Sequence, residues 1–71
     1  MNYYHLRYNV YEPPGFAVEK EKWITTERPL NVTQARVRLE EDHQNTVSII
    51  TWVVIAQDEF DRSDIQQQAS L

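Results

Sequence analysis

The chain has 71 residues, no cysteine, seven Lys/Arg against eleven Asp/Glu, and a formal net charge of −4. That length makes one domain, excludes disulfide or thiolate-metal reinforcement, and implies a stability near the low end of the usual ~5–15 kcal/mol. The acidic balance argues against general phosphate-backbone binding, which draws its affinity from Lys and Arg. Charge is also uneven: residues 1–38 hold six Lys/Arg and four acids, residues 39–71 one Arg and seven acids. Such a distribution serves solubility, or a protein partner with a basic surface.

Residues 3–12, YYHLRYNVYE, alternate with period two: Tyr4, Leu6, Tyr8 and Val10 on one side, His5, Arg7 and Asn9 on the other. This pattern predicts a half-buried strand. The N-terminal decapeptide lacks the long uncharged run of a signal peptide, so a soluble, cytoplasmic protein is expected. Pro13-Pro14-Gly15 follows, and a type II turn centred on Pro14-Gly15 is expected there. Residues 16–27 read as a second strand with broken alternation, since Phe16, Val18 and Ile24 share a parity that Trp23 does not. A bulge or loop near Lys20–Lys22 would reconcile them.

After Pro29 the pattern changes. Asn31 is a good helix N-cap, Gln34 completes a capping box, and Leu30 can pack on Ala35 as a hydrophobic staple. Val32, Ala35, Leu39 and His43 then share one helical side. The alternation of residues 35–39, with Val37 stranded on the polar side, supports a strand instead, so residues 34–40 are open between helix and strand.

VSIITWVVIA, residues 47–56, is the most apolar stretch. Seven of its ten residues are β-branched, which favours a strand. It is about half the ~20 residues that a membrane-spanning helix needs. The residues that follow are acidic and Gln-rich, with Phe60 and Ile65 as the only large apolar anchors. Residues 58–62 read as the ragged end of the strand and residues 63–71 as a flexible tail, so the domain spans residues 1–62.

The order β-β-α-β gives an α+β fold: a three-stranded, mostly antiparallel sheet with one helix packed on one face. The first two strands pair antiparallel through the tight turn, and a crossover through the helix makes the third parallel to the second. Strand order is open.

One helix roofs one face. If Val47, Ile49, Val53 and Ile55 meet it, then Ile50, Trp52 and Val54 face outward and are candidate partner contacts, Trp being common in binding hot spots. The plainer alternative is that Trp23, Tyr11 or the tail covers that row. Arg7, Arg36 and Arg38 are the candidate polar contacts, each equally readable as a solvated side chain.

Chemistry-bearing patterns are missing. His5 and His43 lie in different elements without metal-ligand companions, and the acids from Asp58 do not follow a calcium-loop spacing. Gly15 is the only glycine, which leaves no phosphate-cradling loop. No enzyme, metal or cofactor is expected. Tyr3, His5, Arg7 and Tyr11 could stack single-stranded nucleotides, the basis of an alternative nucleic-acid-binding function. A homodimer joined through Trp52 faces is a further alternative.

In size, acidity, lack of cysteine and α+β order, residues 3–57 resemble small phage-encoded proteins that bind bacterial RNA polymerase. The resemblance implies a non-enzymatic regulator that docks on a large host complex and blocks initiation or changes termination. It carries no diagnostic motif and transfers no site residue.

Overall fold

The computed structural model describes residues 1–71. Its elements are β1 (Asn2–Glu12), β2 (Phe16–Thr26), α1 (Val32–His43), β3 (Thr46–Val54), α2 (Gln57–Asp61), a 3-10 turn (Ile65–Gln67) and β4 (Gln68–Ser70). The strands form one mixed sheet in the order β3-β1-β2-β4. The α+β class therefore holds, with four strands where three were expected.

β1 is the spine. It pairs antiparallel with β2 on one side and β3 on the other. Its alternation does what the period-two pattern demands: Tyr4, Leu6, Tyr8 and Val10 are buried beneath α1, while Arg7 is exposed on the opposite side. The core adds Ile24, Leu30, Ala35, Leu39 and Val47. Because β1 is antiparallel to both neighbours, β3 runs parallel to β2, as the helical crossover requires.

α1 begins as its sequence dictates. Asn31 Oδ1 accepts from the Gln34 N–H at 2.8 Å, and Gln34 Oε1 accepts from the Asn31 N–H at 3.1 Å. These bonds satisfy two of the donors that a helix start leaves free. The strand alternative for residues 34–40 is thereby overridden: Ala35 and Leu39, one turn apart, are fully buried, and Val37 is left 44% exposed. The helix stops at Gln44, in a left-handed conformation with φ 56°.

Three local expectations need correction. The β1–β2 turn closes with the Gly15 N–H donating to Glu12 O at 2.7 Å, so it is centred on Pro13-Pro14, one residue earlier than the expected type II turn. Gly15 takes φ +136°, a region side chains rarely adopt. The bulge expected in β2 is not there, since β1–β2 pairing runs without a shift from Asn2↔Thr26 to Glu12↔Phe16. Trp23 simply faces the side away from α1, and Phe16 is left 69% exposed. The irregularity lies in β3 instead: Arg7 pairs with Thr51 and Tyr8 with Ile49, so Ile50 has no partner in β1. That extra residue reverses the facing of everything beyond it.

The third correction concerns the C-terminal residues. Residues 63–71, read from the sequence as a flexible tail, carry the 3-10 turn and β4, which pairs parallel with β2 at Trp23↔Gln68, Ile24↔Ala69 and Thr25↔Ser70. To reach that edge from β3, the chain crosses the sheet on the face opposite α1. Phe60 of α2 packs on Tyr3 there, with ring centroids 5.2 Å apart. Gln68 Nε2 ties the crossing down by donating to Phe60 O and Ser63 Oγ at 2.9 and 3.0 Å. Composition hid this because Phe60, Ala69, Leu71 and a few amide hydrogen bonds suffice once a sheet edge supplies partners, while Ile65 stays 79% exposed. No helix is long and apolar enough to cross a membrane.

Candidate interaction edge

The bulge decides what β3 presents. Before it, Val47 and Ile49 lie on the α1 side; after it, Trp52 and Val54 take that side, opposite Leu6 and Tyr4. The row Ile50, Trp52, Val54 expected on the outer face is therefore split. Trp52 is half-buried and stacks on Tyr4, with centroids 4.6 Å apart and planes inclined by 21°. It is part of the core boundary, not an outward anchor. Ile50 and Val54 do stay exposed, at 48% and 72%, and Val53 on the outer face joins them at 47%.

β3 is also the outermost strand of the sheet. Its main-chain directions follow from two hydrogen bonds. The Ile55 N–H donates to Tyr3 O at 3.0 Å, so alternation turns the peptide groups of Trp52 and Val54 away from β1. The Val47 N–H donates to Glu40 Oε2 at 3.1 Å, which makes Val47 another outward group, closed by a carboxylate. From Ile49 to Val54 the edge is open. No residue of β3, TVSIITWVV, carries a charge.

The remaining predicted contacts fare differently. Arg7 forms an ion pair with Glu19 across the outer face. Arg36 and Arg38 are exposed on α1 and make no ion pair. Arg36 lines a hollow with Val32 and the first residues of β3; Arg38 lines a groove on the other flank with Gln34, Ser70 and Leu71. The two arginines do not converge with each other or with Arg7. The aromatic-basic cluster of β1 is likewise engaged within the chain. Tyr3 packs on Phe60, and His5 stacks on Trp23 at 4.7 Å while bonding Glu21 Oε2 at 2.7 Å. Tyr11 sits at the far end of the strand, pairing with Ala17 and Thr46.

One buried polar pair was missed from the sequence. Tyr8 Oη lies 3.0 Å from His43 Nε2. Burial, reinforced by the Asp42 carboxylate, raises the Tyr8 phenol from 10.0 to about 12. Burial, with help from Lys22 and Lys20, pushes His43 below its ordinary 6.5. The helix dipole favours a charged His43 but loses to these effects. The Tyr8 phenol and the Nε2 atom of a neutral His43 share this hydrogen bond, whose direction follows the imidazole tautomer. No cluster of three or more His, Asp or Glu is arranged to hold a metal ion.

Comparison with protein families, with curated proteins and with solved structures finds no significant match to this chain.

Proposed function

We propose that this chain is a small non-enzymatic binding protein that docks on a larger protein complex by accepting a strand at the open edge of β3. The observation that carries this reading is the uncharged stretch Ile49–Val54, with outward peptide groups and exposed Ile50, Val53 and Val54. Strand addition uses those groups: main-chain hydrogen bonds supply affinity, and flanking side chains supply selectivity. Native sheets ordinarily blunt such an edge with charge, proline or a cover, because an open apolar edge invites pairing.

The specific partner we propose is bacterial RNA polymerase, from the resemblance of residues 3–57 to phage-encoded polymerase regulators, with initiation or termination as the step affected. The nucleic-acid alternative is weaker, because Tyr3, His5 and Arg7 already have partners within the chain. Catalysis lacks support too, since the part-buried titratable pairs, Tyr8 with His43 and His5 with Glu21, are each closed within the chain.

The test is binding of purified bacterial RNA polymerase to wild type and to Val54→Pro. Proline at 54 removes an outward N–H while leaving the β1–β3 ladder intact, as edge positions allow. Saturable binding by the wild type that the variant loses supports the proposal. Absence of binding removes polymerase as partner, and binding indifferent to Val54→Pro removes the edge.

A further inference from the structure

We infer that the segment received at the β3 edge is a short uncharged aliphatic strand flanked at both ends by lysine or arginine. This rests on the docking edge proposed above and adds the chemistry of its occupant. The length follows from the edge itself. Glu40 closes the Val47 N–H, and α2 begins at Gln57, so a partner strand has free main chain only from Ile49 to Val54, roughly 20 Å at strand spacing.

The centre of that strand must be apolar. Its side chains alternate between Val53 on the outer face and Trp52 and Val54 on the α1 face, and β-branched or aliphatic residues make the favourable cross-strand pairs with these. A charge placed opposite Val54 would be desolvated with nothing to pair it. Of the large apolar side chains of β3, Val54 is the most exposed, at 72%.

The flanks follow from charge complementarity. At the start of β3 stand Glu40 and, next to the Tyr11 that pairs with Thr46, Glu12. Beyond its end stand Asp58 and Glu59, in the first turn of α2. Asp58 has a side chain 76% exposed and only a loose 3.5 Å contact to Arg62. Arg36, which lines the hollow beside residues 46–49, and Arg62, beside Asp58, are the cations set against them, one at each end against two acids. Both ends of the open stretch are thus acidic while its middle is neutral. Acidic flanks would repel, and basic flanks would both attract and fix the position of the strand.

Two nine-residue peptides test this: Lys-Lys-Val-Thr-Val-Thr-Val-Lys-Lys, and the same core with four Glu flanks. Each is titrated into isotope-labelled full-length protein and followed by amide chemical shifts. The lysine-flanked peptide should shift the amides of residues 49–54 and bind about tenfold more tightly than the Glu-flanked one at ~50 mM salt. The ratio should fall to about twofold at ~500 mM, where screening is short-ranged. Val54→Pro should abolish both. Equal affinities at low salt, or no binding by either peptide, overturn the inference while polymerase binding through the edge can stand. Shifts confined to another surface, or peptide binding unchanged by Val54→Pro, overturn the docking edge as well. A concentration-dependent dimer broken by Val53→Lys would make a second copy the occupant and overturn the basic-flanked strand.

Discussion

Besides the three-residue β4, two longer stretches of strand lie at the borders of this sheet: residues 16–22 of β2, beyond the reach of β4, and residues 49–54 of β3. The first carries Glu19, Lys20, Glu21 and Lys22, and Glu19 and Glu21 are paired back to Arg7 and His5. Lys22 lies 3.8 Å from Asp42. The second carries no charge. Charge on an edge strand discourages pairing with other chains because the incoming strand must desolvate it. The sheet therefore guards one edge by side-chain chemistry and leaves the other open. Solubility alone would favour guarding both, which is why the contrast supports a binding role for β3.

The comparison has meaning only while both edges hang on β1, and the largest expected effect comes from removing that support. Leu6 is fully buried between Lys22 of β2 and Trp52 of β3. Leu6→Ala should cost about 3 kcal/mol, a large part of the stability of a chain this small, read as a loss in urea midpoint. Trp52→Ala loosens only the β3 edge. Its half-buried indole and its stacking on Tyr4 predict a loss of about 2 kcal/mol, with faster amide exchange concentrated in residues 49–54.

Inverting the guard is the sharper test. Replacing Glu19, Lys20, Glu21 and Lys22 by threonine gives β2 the open character of β3, and the protein should lose solubility by light scattering while β3 binding persists. Val53→Lys gives β3 the guard of β2; partner binding should disappear with a change in stability within about 0.5 kcal/mol.

Two pH windows concern the contact between α1 and the sheet face beneath it. The folded pKa of His43 is lowered, so the unfolded chain binds the extra proton first. Stability should fall as pH drops below about 6.5. Tyr8 is the reverse case, raised from 10.0 to about 12, so stability should fall across that interval as the unfolded phenol ionises first. Far-UV circular dichroism melts across pH check both, and His43→Gln should flatten the acid limb. A small gain in stability is expected under the C-terminal crossing. Thr25 Oγ1 is buried without a partner, so Thr25→Val should raise the melting point by the equivalent of up to about 1 kcal/mol.

How much of this was legible beforehand differs by element. The β1 strand and the α1 cap were readable because their signals are local: period-two burial in one case, reciprocal side-chain and backbone bonds over residues 31–34 in the other. The expected irregularity in β2 was inferred from Trp23, whose parity conflicts with Ile24 only if both must be core. Trp23 instead stacks on His5 across the strand pair. Nothing in VSIITWVVIA marks Ile50 as the unpaired residue, since every neighbour is equally strand-like. The sequence therefore predicts the exposed site only in part: Ile50 and Val54 are exposed as expected, whereas Trp52 lies on the α1 side and Val53 on the outer face.

Local chemistry along the chain was enough to determine the helix start, the central strand and the neutrality of β3. Those properties depend on neighbours within a few residues, where backbone geometry leaves few options. The position of β3 at the border, the one-residue shift in its pairing and the path of residues 57–70 across the far face were decided by tertiary structure. They depend on which strand competes successfully for which edge, and that competition is settled by packing between residues far apart in the chain.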